Sequence, residues 1–191
     1  MSDSNITKRA LATAMKELME EKPFAKITVG DICDRCGLNR KSFYYHFKDK
    51  YDLVNWIFYT EFIDSLRLSD YRNGWSLWED VCAYFYREQA FYRHALEIQG
   101  QNSFSAYFSE VLGRFLLAFS GDIFSGIDDS DSEFYVTFLT DAFLASIMRW
   151  LTEGAQIPPE DYLHQLRIIS ENLARKVLTD LDTLADDESQ P

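Results

Sequence analysis

A pair of short amphipathic helices separated by one glycine, between residues 28 and 47, constrains this chain more than any other feature. Thr28 can cap the first helix, and Asp31 three residues on supplies the reciprocal partner of a capping box. Val29, Ile32, Cys33 and Cys36 then recur at i, i+3, i+4 and i+7, one apolar stripe on a polar segment. Gly37 stands where a left-handed C-cap residue belongs, and Asn39 is placed to cap a second helix over 40–47. Helices this short do not persist alone in water. The two must pack on each other and on a third element.

That third element is expected upstream. Ser4 is a candidate cap, and Ile6, Ala10, Ala14 and Leu18 at four-residue spacing predict a helix that stops near Lys22, because the residue before Pro23 is pushed out of the α region. Downstream, helical periodicity predicts a long helix over 50–68 and further helices over 76–98, 103–120, 132–153 and 159–182. The last opens on Pro158, Pro159, Glu160 and Asp161, prolines and acids suited to a helix start. Residues 121–132 are the expected internal loop. Almost every segment reads with helical rather than strand periodicity, and there is neither an internal repeat nor a Gly/Ser linker. The expected fold is all-α. A three-helix helix-turn-helix unit, 1–50, is joined by a long helix to a C-terminal helical bundle, 51–191, for effector binding and dimerisation. With 47% hydrophobic and 16% aromatic residues over 191 positions, a core forms without disulfide or metal.

A net charge of −12 argues at first against nucleic acid, whose affinity for proteins comes largely from Lys and Arg neutralising phosphates. The average hides an asymmetry. Residues 1–50 hold ten Lys and Arg against seven Asp and Glu, a net of +3, so the remainder carries −15. A modest basic module therefore sits on an acidic body that DNA would repel. Helix, tight turn and helix at this spacing match a helix-turn-helix, whose second helix enters the major groove. Arg40 and Lys41 begin that helix, where base-edge contacts are made, and both can donate to guanine acceptors. Ser42, Tyr44, Tyr45 and His46 offer hydroxyl, aromatic and imidazole groups for phosphates or a thymine methyl. Phe43 and Phe47, four apart, can close the core beneath, and Lys50 opens the next helix.

At these residues the chain resembles the TetR family of transcription regulators. The likeness spans roughly 6–66 and is densest in the run Ser42, Phe43, Tyr44, Tyr45, His46, Phe47 followed by Lys50. It implies that Thr28, Ser42, Tyr44, His46 and Lys50 hold phosphates while Arg40, Lys41 and Tyr45 face bases. Gly30 departs from the family, standing where many members carry a polar or basic residue, and Cys33 and Cys36 replace small residues. The stretch 43–58 and the tyrosine-rich body are similar to the subgroup that includes activators of dihydroxyacetone-kinase operons.

Other motifs have plainer explanations. The pair Cys33 and Cys36 has CxxC spacing, but zinc needs four ligands and no second pair is suitably spaced, so packing is expected and no metal or cofactor. The acidic run 128–133 lacks the glycine and distal glutamate of a calcium loop. No nucleophile elbow, phosphate loop or zinc-protease pattern occurs, so an enzyme is not expected. Trp56, Phe62, Phe85, Phe91, Tyr92, Phe108 and Phe115 could line an effector pocket, or simply be helical core. The apolar faces of 132–153 and 159–182, with Phe138, Trp150, Leu166 and Ile169, are wider than one core needs and suit a homodimer. The longest apolar runs are short for a bilayer, the polar start lacks a signal-peptide layout, and three cysteines suit a reducing compartment, which together predict a cytoplasmic protein without membrane contact. The reading that results is a dimer on a palindromic double-stranded operator, controlled by a small-molecule effector. Its rivals are a DNA-binding activator acting through a regulatory protein partner, and an all-helical enzyme or carrier.

Overall fold

The computed structural model describes residues 3–98, 100, 102–119, 132–170 and 172. Among these there is no strand. The helices are α1 (Asp3–Glu21), α2 (Val29–Cys36), α3 (Arg40–His46), α4 (Lys50–Glu61), α5 (Gly74–Arg87), α6 (Gln89–Leu96), α7 (Phe104–Ala118), α8 (Ser132–Thr152) and α9, described over 159–170. The acidic run 128–131, the expected loop over 121–131 and the helix end over 173–182 lie outside the described residues.

Capping chemistry places α2 and α3 as the sequence predicts. Asp31 N–H donates to Thr28 Oγ1 at 3.1 Å, and Thr28 N–H donates to Asp31 Oδ2 at 2.8 Å. Gly37 takes φ +69°, the left-handed conformation that costs glycine nothing, and Asn39 Oδ1 accepts the Ser42 N–H at 2.8 Å. Asp49 caps α4 in the same way, accepting from the amides of Tyr51 and Asp52.

Three expectations are corrected. Helix α1 is already formed at Asp3, so Ser4 lies inside it, and its core face is rotated: Leu11, Ala14, Met15, Leu18 and Met19 are buried while Ile6 is exposed. The helix expected over 50–68 stops at Glu61. Phe62 leaves helical geometry (φ −120°, ψ −63°) with its ring buried 5.5 Å from that of Phe58, and the chain continues in two short 3-10 turns, Ile63–Ser65 and Leu68–Asp70. Beyond the break, Ser65 Oγ donates to the Phe62 carbonyl and the Arg67 guanidinium to those of Asp64 and Leu66. The helix expected over 76–98 is broken at Glu88 (φ −101°, ψ +21°), whose carbonyl accepts from Phe91 and Tyr92 to start α6.

The body closes around Phe58 of α4. Its ring centroid lies 5.3–5.7 Å from those of Phe62, Phe85, Phe104 and Phe108, drawn from the C-cap of α4 and from α5 and α7. Rings at these separations gain from edge-to-face and offset contact beyond the area they bury. Helix α8 enters the body through Phe143, Ile147, Trp150 and Leu151. Residues Glu133–Thr152 are long and apolar enough to cross a membrane, with a mean hydropathy of 1.2, but one face is packed inside the protein. Tyr162 of α9 stacks on Trp150 at 4.5 Å and donates to Ser146 Oγ.

Candidate nucleic-acid interface

The N-terminal unit sorts its side chains by chemistry. Phe43 is fully buried and Phe47 is 3% exposed, so α3 is pinned by its apolar face against α1 and α2, and Phe47 at its end packs on Trp56 of α4 at 5.6 Å. On the same helix Arg40, Lys41, Tyr44 and Tyr45 are exposed, Tyr45 by 83%, and neither Arg40 nor Lys41 makes an ion pair among the described residues. Ser42 and His46 are half-buried at the flanks. The two tyrosines and two cations make one exposed face rich in hydrogen-bond donors.

Arg40 has a particular seat. A Cβ at residue 30 would come 2.6 Å from a terminal guanidinium nitrogen of Arg40, so the end of the arginine lies against the first turn of α2 at Gly30. The departure of Gly30 from the family pattern is thus filled by a neighbouring side chain.

Lys50 and Thr28 are more committed than the sequence suggests. The Lys50 ammonium donates to the carbonyls of Phe24 (2.7 Å) and Ile27 (2.8 Å) and lies 4.2 Å from the Phe24 ring; burial there lowers its pKa. Two of its three N–H donors tie α4 to the loop before α2, and one remains. The Thr28 hydroxyl donates to Asp31 at 2.9 Å. Hydrogen bonds from Thr28, aided by Lys22 at 3.0 Å, hold the Asp31 carboxyl down at about 2. The amides of Val29 and Gly30, without intrahelical partners, remain at the positive end of α2.

Cys33 is buried, and Cys36 is half-buried with its thiol on the Ile32 carbonyl; burial raises both pKa values, the behaviour of packed rather than reactive thiols. Of the seven residues expected around an effector, Phe62, Phe85, Phe91, Tyr92 and Phe108 lie in the aromatic core and Phe115 is half-buried. Trp56 of the seven lines a cleft of about 500 Å³ where α1 meets α4 and α5. The polar residues of that cleft, Lys16, Glu61 and Glu88 foremost, escape sequence reasoning. They are 45 and 72 positions apart, and no local pattern signals their meeting.

Comparison with known proteins gives this geometry a lineage. Residues 10–57 match the family of bacterial regulatory proteins of the tetR type, and residues 75–172 match a transcriptional regulator C-terminal region. The chain belongs to the TetR family and is a transcription regulator, not an enzyme, by that membership. It is 32% identical over 75 residues to the HTH-type dhaKLM operon transcriptional activator DhaS of Lactococcus lactis, an alignment spanning 39% of this chain and 40% of that relative. The solved structure of a dihydroxyacetone kinase operon activator, DhaS, superposes with a TM-score of 0.68 at 22% identity, over 89% of this chain and 97% of that one. NalD, the secondary repressor of the MexAB-OprM multidrug efflux pump in Pseudomonas aeruginosa, superposes with a TM-score of 0.58 at 17% identity over the same shares. At these identities the two structures establish the all-helical fold.

Proposed function

We propose that the protein is a cytoplasmic, dimeric, sequence-specific DNA-binding regulator whose hold on a palindromic operator is set by a signal received in its body, from a small molecule or a regulatory protein. The observation that carries this reading is α3, whose buried Phe43 fixes a helix that presents Arg40, Lys41, Tyr44 and Tyr45 outward. Residues 1–50 form the DNA-reading unit, and α4 passes its position to the body over 51–191. Arg40, Lys41 and Tyr45 read base edges. Phosphates are held by Tyr44, Ser42, His46, the N-terminal turn at Thr28 and the third N–H of Lys50.

The dimer follows from the opposite end. Phe134 is 71%, Phe138 51% and Ile169 65% exposed, with Ala142 and Ala145 beside them on α8, an apolar surface that water disfavours. Two-fold pairing of α8 and α9 into a four-helix bundle buries it, and sets two recognition helices about 34–36 Å apart, one turn of DNA. Selection from a random duplex pool tests the whole reading. It should return a palindrome whose half-sites are about 10 base pairs apart. An unrepeated half-site, from a chain that sediments as a monomer, would sink the dimer; no enrichment at all would sink DNA reading.

A further inference from the structure

We propose that the cleft between α1 and the body is a binding site for a small hydroxylated anion, such as a hydroxycarboxylate or a phosphate ester. This deepens the regulator reading above and rests on it, because it names the chemistry of the signal and its place.

The cleft, about 500 Å³, is walled by α1 of the DNA-reading unit, by α4, and by the end of α5. Three cations face it, Arg9, Lys16 and Arg87, against two carboxylates, Glu61 and Glu88. On a chain of net charge −12, a concavity of net +1 is a place where an anion is favoured over the rest of the surface. The charges are also already divided. The Lys16 ammonium bonds Glu61 at 2.6 Å and Glu88 at 3.2 Å, with the Phe91 ring 5.6 Å away. Tyr84 adds its hydroxyl to Glu61 at 3.0 Å. Lys16 and Tyr84 thereby serve both carboxylates, and a ligand cation would have to displace them.

Two cations are left over. Arg9 makes no ion pair among the described residues, and Arg87 pairs with the adjacent Glu88 at 3.2 Å, its guanidinium 5.3 Å from the Tyr84 ring and its side chain 67% exposed. An exposed pair of that kind is weak and readily exchanged for a bidentate anion. The hydroxyls of Thr13 and Thr60 in the wall suit a ligand carrying hydroxyls of its own. A purely apolar effector fits poorly among five charged groups, and at the aromatic centre of the body Phe58, Phe85 and Phe108 pack ring against ring.

Position supplies the regulation. Arg9 belongs to α1 and Arg87 to α5, so an anion held by both bonds the DNA-reading unit to the body and binds best at one setting of the two. Differential affinity of that kind is what lets a ligand shift a conformational equilibrium, and the coupling is reciprocal with DNA binding.

Calorimetric titration of the full chain with tartrate and with inorganic phosphate, ionic strength held constant with chloride, tests the site. Erythritol and ethanolamine serve as the uncharged and cationic controls. At least one of the two anions should bind at millimolar concentration or below. Arg9→Gln and Arg87→Gln should each weaken it about tenfold or more, the loss of a charge-assisted bond. The same anion should change the affinity for the selected operator about fivefold or more in the wild type and not in Arg87→Gln, a variant whose DNA affinity without anion stays at the wild-type value. No heat from either anion overturns the proposal. So does equal binding by erythritol or ethanolamine, binding indifferent to both arginines, or an unchanged operator affinity. Operator selection is measured separately, so a chain that selects DNA but ignores anions defeats the cleft alone, and one that binds anions but no DNA defeats the regulator reading.

Discussion

The two ends of this molecule expose what a folded core has no use for, and they expose opposite kinds of chemistry. At α3 the surplus is Arg40, Lys41 and two tyrosines, groups that carry donors and tolerate water; at α8 and α9 it is Phe134, Phe138 and Ile169, which do not. A polar surplus waits at little cost for a charged partner and gains from it by neutralisation and hydrogen bonding. The apolar surplus raises the free energy of the monomer until it is covered. One end therefore predicts a nucleic acid and the other a second copy of the chain.

The largest expected effect strikes the apolar end. Ala142→Glu together with Ile169→Lys should yield monomers of near-native helicity whose operator affinity falls by about 10²–10⁴, the loss of bivalent engagement. Sedimentation and gel-shift titration read it; a double mutant that stays dimeric moves the interface elsewhere. Next comes the packing beneath the polar end. Phe43→Ala removes a fully buried ring and should destabilise by about 3–5 kcal/mol, read as a lowered denaturant midpoint with loss of operator binding. A midpoint that hardly moves would mean that α3 is not held by its apolar face.

Smaller effects should separate reading from holding at the same end. Arg40→Ala or Lys41→Ala should relax preference at one base position for about 1–3 kcal/mol, seen by repeating the selection with each variant. Lys50→Ala should instead weaken all duplexes alike and lower the salt slope by about one unit, together with some loss of stability as the Phe24 and Ile27 carbonyls lose their donor. An altered selected motif for Lys50→Ala would reverse its assignment. Smallest is the cap of α2. Thr28→Ala should cost about 1 kcal/mol. Because the Asp31 carboxyl sits at about 2 in the folded protein, below its unfolded value, its contribution is present at neutral pH and disappears as pH falls from about 4 through 2. Acid titration of stability should show that loss in the wild type and not in Asp31→Asn.

An operon activator and an efflux-pump repressor share this all-helical fold, so the fold by itself does not fix the sign of regulation.

How much was legible in the sequence depended on range. Helices α2 and α3, their caps, the left-handed Gly37 and the boundaries of α8 to within a residue follow from interactions spanning four positions or fewer, and such information is written in order along the chain. The outward set on α3 was equally legible, because a short helix with one apolar pair leaves its other residues nowhere else to go. What tertiary structure alone decided was long-range. The buried face of α1 took in Leu11, Met15 and Met19 and left Ile6 exposed, and α4 ended at Glu61, with Phe62 beyond it stacked on Phe58. Glu88 broke α5 from α6 where it meets Lys16, 72 residues away. Lys50 was tied to two carbonyls that no spacing rule could have named. Periodicity records which residues share a face, but not which distant element that face will meet, and the cleft between α1 and the body exists only because three such meetings occur together.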